Sequence, residues 1–278
     1  MNLAPKAQAA RAVRAMLGHP NYERASMVAK LPGVARRRDP TSRALARTLA
    51  TAALRRLPAS ERDWVSRVEG RRRELAADGT AVAPSFDAGS GAVPGGLLQS
   101  GEPIPIGGIA EAFSIPMRWG MFLIRLVREL APVTSLELGT GLGISSAYQA
   151  AGLELNGRGE LTTLEGARAW AEVAEQGLSS LGLAERCRVE VGPIDETLEP
   201  VLNRIAPIDY AYLDADHSEE ATVKHFEAVL PHMAPGGVVV LDDVAFSWDM
   251  WQAWTRITSA DRVTVRVALD RMGVLVVD

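Results

Sequence analysis

A glycine-rich turn constrains the fold of this chain more than any other feature of its sequence. It lies in residues 135–149, SLELGTGLGISSAYQ, where apolar residues at alternate positions give way to a helical composition. Three glycines separate the two parts: Gly139, Gly141 and Gly143. Glycine readily adopts backbone conformations that end regular structure, so the segment predicts a strand, a tight turn and a helix.

Strand-like and helix-like segments alternate along the chain after this turn. Short apolar segments are predicted as strands at 134–138, 160–164, 187–191, 208–213 and 237–241. The last residues, RVTVRVALDRMGVLVVD (262–278), alternate around Asp270 to Gly273 as the two strands of a hairpin do. Alternating strands and helices form parallel sheets with right-handed crossovers. The sequence therefore predicts a doubly wound α/β fold, with a seven-stranded sheet that is mostly parallel and ends in a C-terminal antiparallel hairpin.

The composition divides the 278 residues into three regions. Residues 1–78 space Ala, Arg and Leu as helices do, with prolines such as Pro32 between the segments, and predict a helical N-terminal extension. Residues 79–108 are rich in Gly, Pro and Ser and predict a linker or an active-site flap. Residues 109–278, with an amphipathic helix over 114–130, predict a Rossmann-like domain.

Cysteine content and hydropathy exclude several classes of protein. Cys187 is the only cysteine, which rules out an internal disulfide and a zinc site with several thiolates. No run of about 18 uncharged apolar residues occurs, and the N-terminus has no apolar core of the kind found in signal peptides. We therefore expect a cytoplasmic protein without a membrane partner.

Positive charge is concentrated at the N-terminal end. Residues 1–80 contain 17 Lys and Arg against 7 Asp and Glu, although the whole chain has a net charge of −4. The clusters Arg36–Arg38 and Arg71–Arg73 leave open an RNA-associated protein or an RNA methyltransferase. Aromatic residues are not interleaved with these arginines, and the predicted helices carry an apolar face. We therefore favour helix packing and a homodimer, and do not expect nucleic acid as a partner.

The glycine turn also limits the ligand that the chain can bind. A dinucleotide fold prefers G-x-G-x-x-G, whereas this turn is G-x-G-x-G with Ile144 in the place of the third glycine. Glu137 would repel a pyrophosphate but attract a cation. S-adenosylmethionine has a sulfonium, an ammonium and no phosphate, and Glu165 at the end of the next strand can accept hydrogen bonds from its ribose. A nicotinamide-dependent oxidoreductase and a turn without any ligand are the alternatives.

Four motifs within residues 110–278 extend this pattern: LELGTGLGISS, LTTLEG, IDYAYLDADHS (208–218) and PGGVVVLDDV (235–244). Together they resemble the class I S-adenosylmethionine-dependent methyltransferases, and within them the metal-dependent O-methyltransferases of the catechol and caffeoyl-CoA type. The resemblance implies methylation of a hydroxyl group on a small molecule. The candidate cofactor-binding residues are Glu137, Gly139, Thr140, Gly141, Gly143, Ser145, Glu165 and Asp214.

The same resemblance implies a divalent cation. In that family an Asp after the fourth strand and an Asp-Asn pair after the fifth hold the metal, and a lysine acts as base. The matching positions make Asp214, Asp242 and Asp243 the candidate metal ligands, and His217 and Asp214 the candidate catalytic residues. Oxygen ligands without a Cys or His cluster favour Mg²⁺. His217 titrates near neutral pH, so it can accept the proton of the substrate hydroxyl.

The chain departs from the family pattern at two positions. Asp243 stands where the family has an amide, and His217 stands where it has a lysine, although related bacterial methyltransferases of natural products have Asp-His there. Strand-end aspartates also cap helices, which is the alternative to metal binding. A stripe of Trp248, Trp251 and Trp254 follows the last of these aspartates, and it predicts either core packing or an aromatic substrate site.

Overall fold

A seven-stranded sheet forms the centre of the protein. The structure is a computed structural model, and it describes residues 19–54, 56–82 and 103–278. The strands are β1 (Ala81–Val82), β2 (Ile104–Pro105), β3 (Thr134–Leu138), β4 (Glu160–Glu165), β5 (Cys187–Val191), β6 (Ile208–Leu213), β7 (Met233–Leu241), β8 (Val263–Leu269) and β9 (Met272–Val277). The sheet has the order β5-β4-β3-β6-β7-β9-β8, while β1 and β2 pair separately. Only β9 runs antiparallel to its neighbours β7 and β8 in this sheet, so the predicted fold class is confirmed.

Helices cover both faces of the sheet. They are α1 (His19–Ala35), α2 (Pro40–Leu54), α3 (Ala59–Ala76), α4 (Ile106–Phe113), α5 (Met117–Leu130), α6 (Ile144–Asn156), α7 (Arg168–Ser180), α8 (Ile194–Ile205), α9 (Glu219–Val229) and α10 (Trp248–Ile257). Successive residues of a strand point to opposite faces. In β6, Tyr210 and Tyr212 accordingly belong to one apolar core, and Ala211 and Leu213 belong to the other. This double burial explains why the central strands read as nearly continuous apolar runs.

The order of the strands creates a crevice at one edge of the sheet. The chain proceeds from β3 outward to β4 and β5, then returns to place β6 on the other side of β3. The ends of β3 and β6 meet where Leu138 pairs with Leu213. Ligands of open α/β sheets bind beyond the carboxyl ends of the strands at such a reversal. The residues that follow Leu138 and Leu213 therefore surround the expected ligand site.

The described part of the N-terminal region is helical and packs on the rest of the chain. Leu45 of α2 and Leu75 of α3 are buried in the same core as Trp119 of α5. Polar contacts join the same parts: the Tyr148 hydroxyl donates to Glu69 over 2.6 Å, and Thr41 Oγ1 donates to the Gly236 carbonyl over 2.9 Å. Helices in the N-terminal region are thus confirmed for the described residues, whereas the division into domains at 78 and 108 stays a prediction.

Two predicted regions lie partly outside the described residues. These are the first 18 residues of the extension and positions 83–102 of the predicted linker or flap. Among the helices that the structure describes, none has the length and apolar character that crossing a membrane requires.

Candidate active site

The glycine turn brings the ends of β3 and β6 into close contact. Gly139 has a φ of +90°, and a Cβ atom there would lie 2.3 Å from the carbonyl oxygen of Asp214. Only glycine meets both conditions without strain. The backbone N–H of Gly139 donates to the carbonyl of Leu164 over 3.0 Å, which ties the turn to β4. The turn is therefore fixed by its neighbours on both sides.

Glu165 ends β4 directly beside the turn. Its carboxylate accepts hydrogen bonds from the backbone N–H of Gly141 over 2.7 Å and of Ala167 over 2.8 Å. Burial raises the pKa of Glu165, while the backbone donors oppose this change. The residue lines a cleft at this edge of the sheet, so the position suits an acceptor for ribose hydroxyls.

Glu137 lies beneath the turn and does not line the cleft. Its carboxylate is fully buried and accepts hydrogen bonds from Ser146, from Thr163 over 2.7 Å and from the Gln149 amide over 2.7 Å. Burial raises the pKa of Glu137 to about 7, against the opposing effect of these donors. The contacts give Glu137 partners that join β3 to α6 and β4, and its role in cofactor binding stays a prediction.

His217 lies between two carboxylates at the ends of β6 and β7. Its Nε2 atom is 3.4 Å from Oδ1 of Asp214 and 3.3 Å from Oδ2 of Asp243. Burial opposes a charge on the ring, but the two carboxylates outweigh it and raise the pKa of His217 to about 10, so the expectation that His217 titrates near neutral pH is wrong. The other carboxylate oxygen of Asp214, Oδ2, accepts a hydrogen bond from the Tyr212 hydroxyl over 3.1 Å. The ring of Phe246 lies edge-on to the imidazole, with 6.2 Å between ring centres.

Asp242 is bound by the guanidinium of Arg271. Its side chain is completely buried, and the Nε atom of Arg271 lies 3.0 Å from each of its oxygens. Nη2 of Arg271 is 2.6 Å from Oδ2 of Asp242 and 3.3 Å from Oδ2 of Asp243. The guanidinium therefore binds Asp242 through two nitrogens and also reaches Asp243.

A cleft of about 770 Å³ opens at this edge of the sheet. Most of the candidate site residues line it: Gly139, Thr140, Gly141, Ser145, Glu165, Asp214, His217 and Asp243. Glu137, Gly143 and Asp242 do not. The glycine turn and Glu165 form one side, and the pair Asp214 and His217 forms another. Such a volume suits a ligand the size of a nucleoside derivative together with a small acceptor.

Comparisons with known proteins decide the family. The family described as a methyltransferase domain matches residues 136–244. The chain is 31% identical to a catechol O-methyltransferase of Mycobacterium tuberculosis over 160 aligned residues. The alignment covers 58% of this chain and 69% of that protein. The chain belongs to the class I S-adenosylmethionine-dependent O-methyltransferases of the catechol and caffeoyl-CoA type. A catechol O-methyltransferase of Niastella koreensis is 30% identical over 149 residues, 53% of this methyltransferase and 62% of the relative.

Solved structures agree with this family. One is the O-methyltransferase TomG of Streptomyces achromogenes, crystallised with S-adenosylmethionine. TomG is 25% identical to this methyltransferase and superposes with a TM-score of 0.51, and the match covers 60% of this methyltransferase and 82% of TomG. An O-methyltransferase of Bacillus cereus in complex with S-adenosylhomocysteine shares the fold at 24% identity and a TM-score of 0.52, over 60% and 84% of the two chains. The two ligands are those of the neighbours; for this chain, S-adenosylmethionine as cofactor follows from its membership of the S-adenosylmethionine-dependent family.

Neither the family nor these relatives supports the RNA-associated alternative. Two arginines of the proposed phosphate-binding clusters instead contact the protein itself. Arg72 binds Glu69 and the carbonyl of Ile115, and Arg71 lies 3.3 Å from Glu74.

The three predicted metal ligands, as arranged here, do not fit a divalent cation. Both oxygens of Asp242 are bound by Arg271, and His217 lies between Asp214 and Asp243. Among the described residues, no group of three His, Cys, Asp or Glu side chains is placed to hold a metal ion. The assignment of Asp214, Asp242 and Asp243 as metal ligands stays a prediction, which this arrangement of the side chains does not support.

Sequence reasoning missed two residues of the site. Arg271 lies in the hairpin turn, and only the pairing of β9 with β7 brings that turn to the aspartates. Phe246 lines the cleft, whereas the predicted tryptophan stripe does not: Trp254 is buried, and Trp248 and Trp251 are each 40% exposed. The position of Phe246 three residues after Asp243 was the available signal.

Proposed function

We propose that this methyltransferase transfers the methyl group of S-adenosylmethionine to a phenolic hydroxyl of a small molecule, with His217 as the proton acceptor. The placement of His217 carries the proposal, because the imidazole lines the cleft and two carboxylates flank it. The names of the related catechol O-methyltransferases support the phenolic acceptor.

The cofactor is proposed to lie along the glycine turn. Glu165 is already oriented by two backbone donors, and its carboxylate would accept the hydrogen bonds of the ribose hydroxyls. Thr140, Ser145 and Asp214 line the same cleft, and under this proposal they would provide further polar contacts to the cofactor. In the proposed pose the sulfonium methyl would point toward the side of the cleft that contains His217, as the transfer requires.

The reaction is a single methyl transfer with a balanced proton transfer. The acceptor hydroxyl gives its proton to His217, and its oxygen forms a bond to the methyl carbon. The bond between sulfur and this carbon breaks and leaves its electron pair on sulfur, which yields S-adenosylhomocysteine. Nε2 of His217 faces the two carboxylates, so Nδ1 is the nitrogen that takes the proton.

The basicity of His217 matches a phenol. Its pKa of about 10 is close to the pKa of about 10 that a phenolic hydroxyl has in water. At neutral pH, however, most of the enzyme has a protonated His217 ring, and only the fraction with a neutral ring can take the proton, so methylation should become faster as the pH rises toward 10. An aliphatic hydroxyl has a far higher pKa and would not give up its proton to the same base.

The aromatic residues of the cleft support an aromatic acceptor. Phe246 is 55% exposed beside the His217 ring, and Phe113 and Trp170 lie with their ring centres 5.5 Å apart on another part of the wall. An acceptor ring can pack against Phe246 with its hydroxyl toward His217.

Substitution of His217 by Asn tests the proposal. We expect kcat/KM for catechol methylation to fall by about 10²- to 10⁴-fold, the range for loss of a general base. Binding of S-adenosylhomocysteine, measured by calorimetry, should stay unchanged. His232→Asn is the matched control, because His232 bonds the Ala228 carbonyl and does not line the cleft. A His217→Asn enzyme with the wild-type rate would contradict the role of His217.

We propose a cytoplasmic homodimer in which residues 1–78 form the contact between subunits or cover the active site. Light scattering of the full chain tests the dimer. The extension packs against the amphipathic helix next to the cleft, where Arg125 binds Glu61 over 2.7 Å, which supports the second role.

A further inference from the structure

Arg271 holds the aspartate that the family resemblance assigns to the metal. Its Nε and Nη2 atoms contact both oxygens of Asp242, at 2.6 to 3.0 Å. Asp242 is fully buried and does not line the cleft, whereas Arg271 does. The guanidinium therefore lies between Asp242 and the ligand space, which is the side from which a cation would approach.

The sheet itself fixes the position of this arginine. Strand β9 pairs with β7 so that Gly273 lies opposite Leu241, the residue before Asp242. The backbone N–H of Val244 donates to the Arg271 carbonyl over 2.9 Å, which joins the hairpin turn to the chain after Asp243. Hydrogen bonds thus hold the backbone of Arg271 in place, and the register of β9 against β7 brings its side chain to Asp242.

A divalent cation cannot share Asp242 with Arg271. Mg²⁺ needs carboxylate oxygens at about 2.0 to 2.1 Å, and both oxygens of Asp242 already accept N–H groups. The guanidinium is permanently charged and would repel a cation at this distance. Rotation of Arg271 out of the site would break its charge-assisted hydrogen bonds to both oxygens of Asp242, and a cation would have to replace them.

The guanidinium of Arg271 and the imidazole of His217 connect the three carboxylates one after another. Arg271 links Asp242 to Asp243, since its Nη2 is 3.3 Å from Oδ2 of Asp243. His217 then links Asp243 to Asp214 at 3.3 Å and 3.4 Å. The three carboxylates would otherwise repel one another, and contacts with Arg271 and His217 offset this repulsion.

We propose that Arg271 takes the place of the divalent cation, so that this methyltransferase acts without a bound metal. Arg271 is a positioning residue: it orients Asp243, and Asp243 in turn orients His217. This inference rests on the proposed function of the site, but it concerns the metal alone.

Binding of Mn²⁺ to the full-length protein tests the inference without any activity assay. With S-adenosylhomocysteine present, we expect wild-type protein to leave the electron paramagnetic resonance signal of free Mn²⁺ unchanged. Arg271→Met frees Asp242 and Asp243, and this variant should bind Mn²⁺ at least about tenfold more tightly than wild type. Arg266→Met is the matched control on the same hairpin, because Arg266 is exposed and bonds the Thr258 carbonyl. One tightly bound Mn²⁺ per wild-type chain would overturn the inference.

Catalysis gives a second measurement that a structural role of Arg271 would not change. We expect wild-type enzyme treated with chelator to retain its rate, and Arg271→Met to lose most of kcat and regain part of it with added Mn²⁺. If Arg271→Met fails to fold, the wild-type Mn²⁺ titration and chelator experiment decide alone. Loss of wild-type activity on chelation, restored by Mn²⁺, would also overturn the inference. Failure of the proposed function has a different signature, because wild-type protein would then methylate no phenol under any condition.

Discussion

The most informative single perturbation is Glu165→Ala. The Glu165 carboxylate accepts hydrogen bonds from the N–H groups of Gly141 and Ala167, at 2.7 and 2.8 Å, and under the proposed function it also accepts from the ribose. A hydrogen bond to a charged group contributes about 1.5 to 3 kcal/mol. We therefore expect the affinity for S-adenosylhomocysteine to fall by about 10- to 150-fold, since 1.4 kcal/mol is tenfold in a binding constant.

Isothermal titration calorimetry measures this loss directly. Glu160→Ala is the matched control, because Glu160 begins the same strand, is exposed and does not line the cleft. Circular dichroism at the titration temperature shows whether the Glu165→Ala protein is folded, and Glu165→Gln separates loss of charge from loss of the side chain. Wild-type affinity in a folded Glu165→Ala protein would refute the assignment of this residue to the ribose.

Three further changes test other parts of the account. The raised pKa of Glu137 means that its protonated form stabilises the fold at low pH and that this contribution is lost as pH rises from about 4.5 to about 7. In wild type this change lowers the free energy of unfolding by about 3 kcal/mol between pH 4.5 and pH 8, and Glu137→Gln should lose this pH dependence in urea unfolding. The same dependence of the free energy of unfolding on pH in both proteins would contradict the raised pKa. Gly139→Ala places a Cβ atom 2.3 Å from the Asp214 carbonyl at a φ of +90° and should lower the melting temperature and abolish cofactor binding; unchanged calorimetry would refute the tight turn. Phe246→Ala should raise KM for the phenol by about tenfold with little change in cofactor affinity, and equal KM values would exclude the aromatic contact.

Much of the fold could be predicted because its strands are buried on both faces. The segments 134–138, 187–191 and 208–213 were predicted with the bounds that the structure shows. Strand β7 instead begins at Met233 rather than at 237, because Met233 pairs with Ile208 across an irregularity that no sequence pattern indicates. Pro32 also lies within α1 rather than between helices. Local composition cannot register such tertiary contacts.

The candidate site was predictable where strand ends alone determine it. Glu165 ends a strand, and Asp214 and Asp243 come just after two others. The carboxyl ends of these strands share one edge of the sheet, so the approach of the three residues to one cleft follows from topology. The direction of a side chain at such an end depends on register, and for this reason the prediction could not foresee that Asp242 turns inward. The partner of Asp242 was also hidden, because Arg271 is 29 residues away in sequence and reaches it only through strand pairing.

The transfer of a methyl group to a phenol is the central claim, and mass spectrometry of the product tests it most directly. Full-length wild-type enzyme is incubated with S-adenosylmethionine carrying a labelled methyl group and with catechol, a monophenol or a sugar in parallel. We expect S-adenosylhomocysteine and a phenolic ether that carries the label, with catechol or the monophenol as acceptor and no product from the sugar. A labelled sugar, or no labelled ether from any phenol while S-adenosylhomocysteine binds normally, would contradict the proposed acceptor.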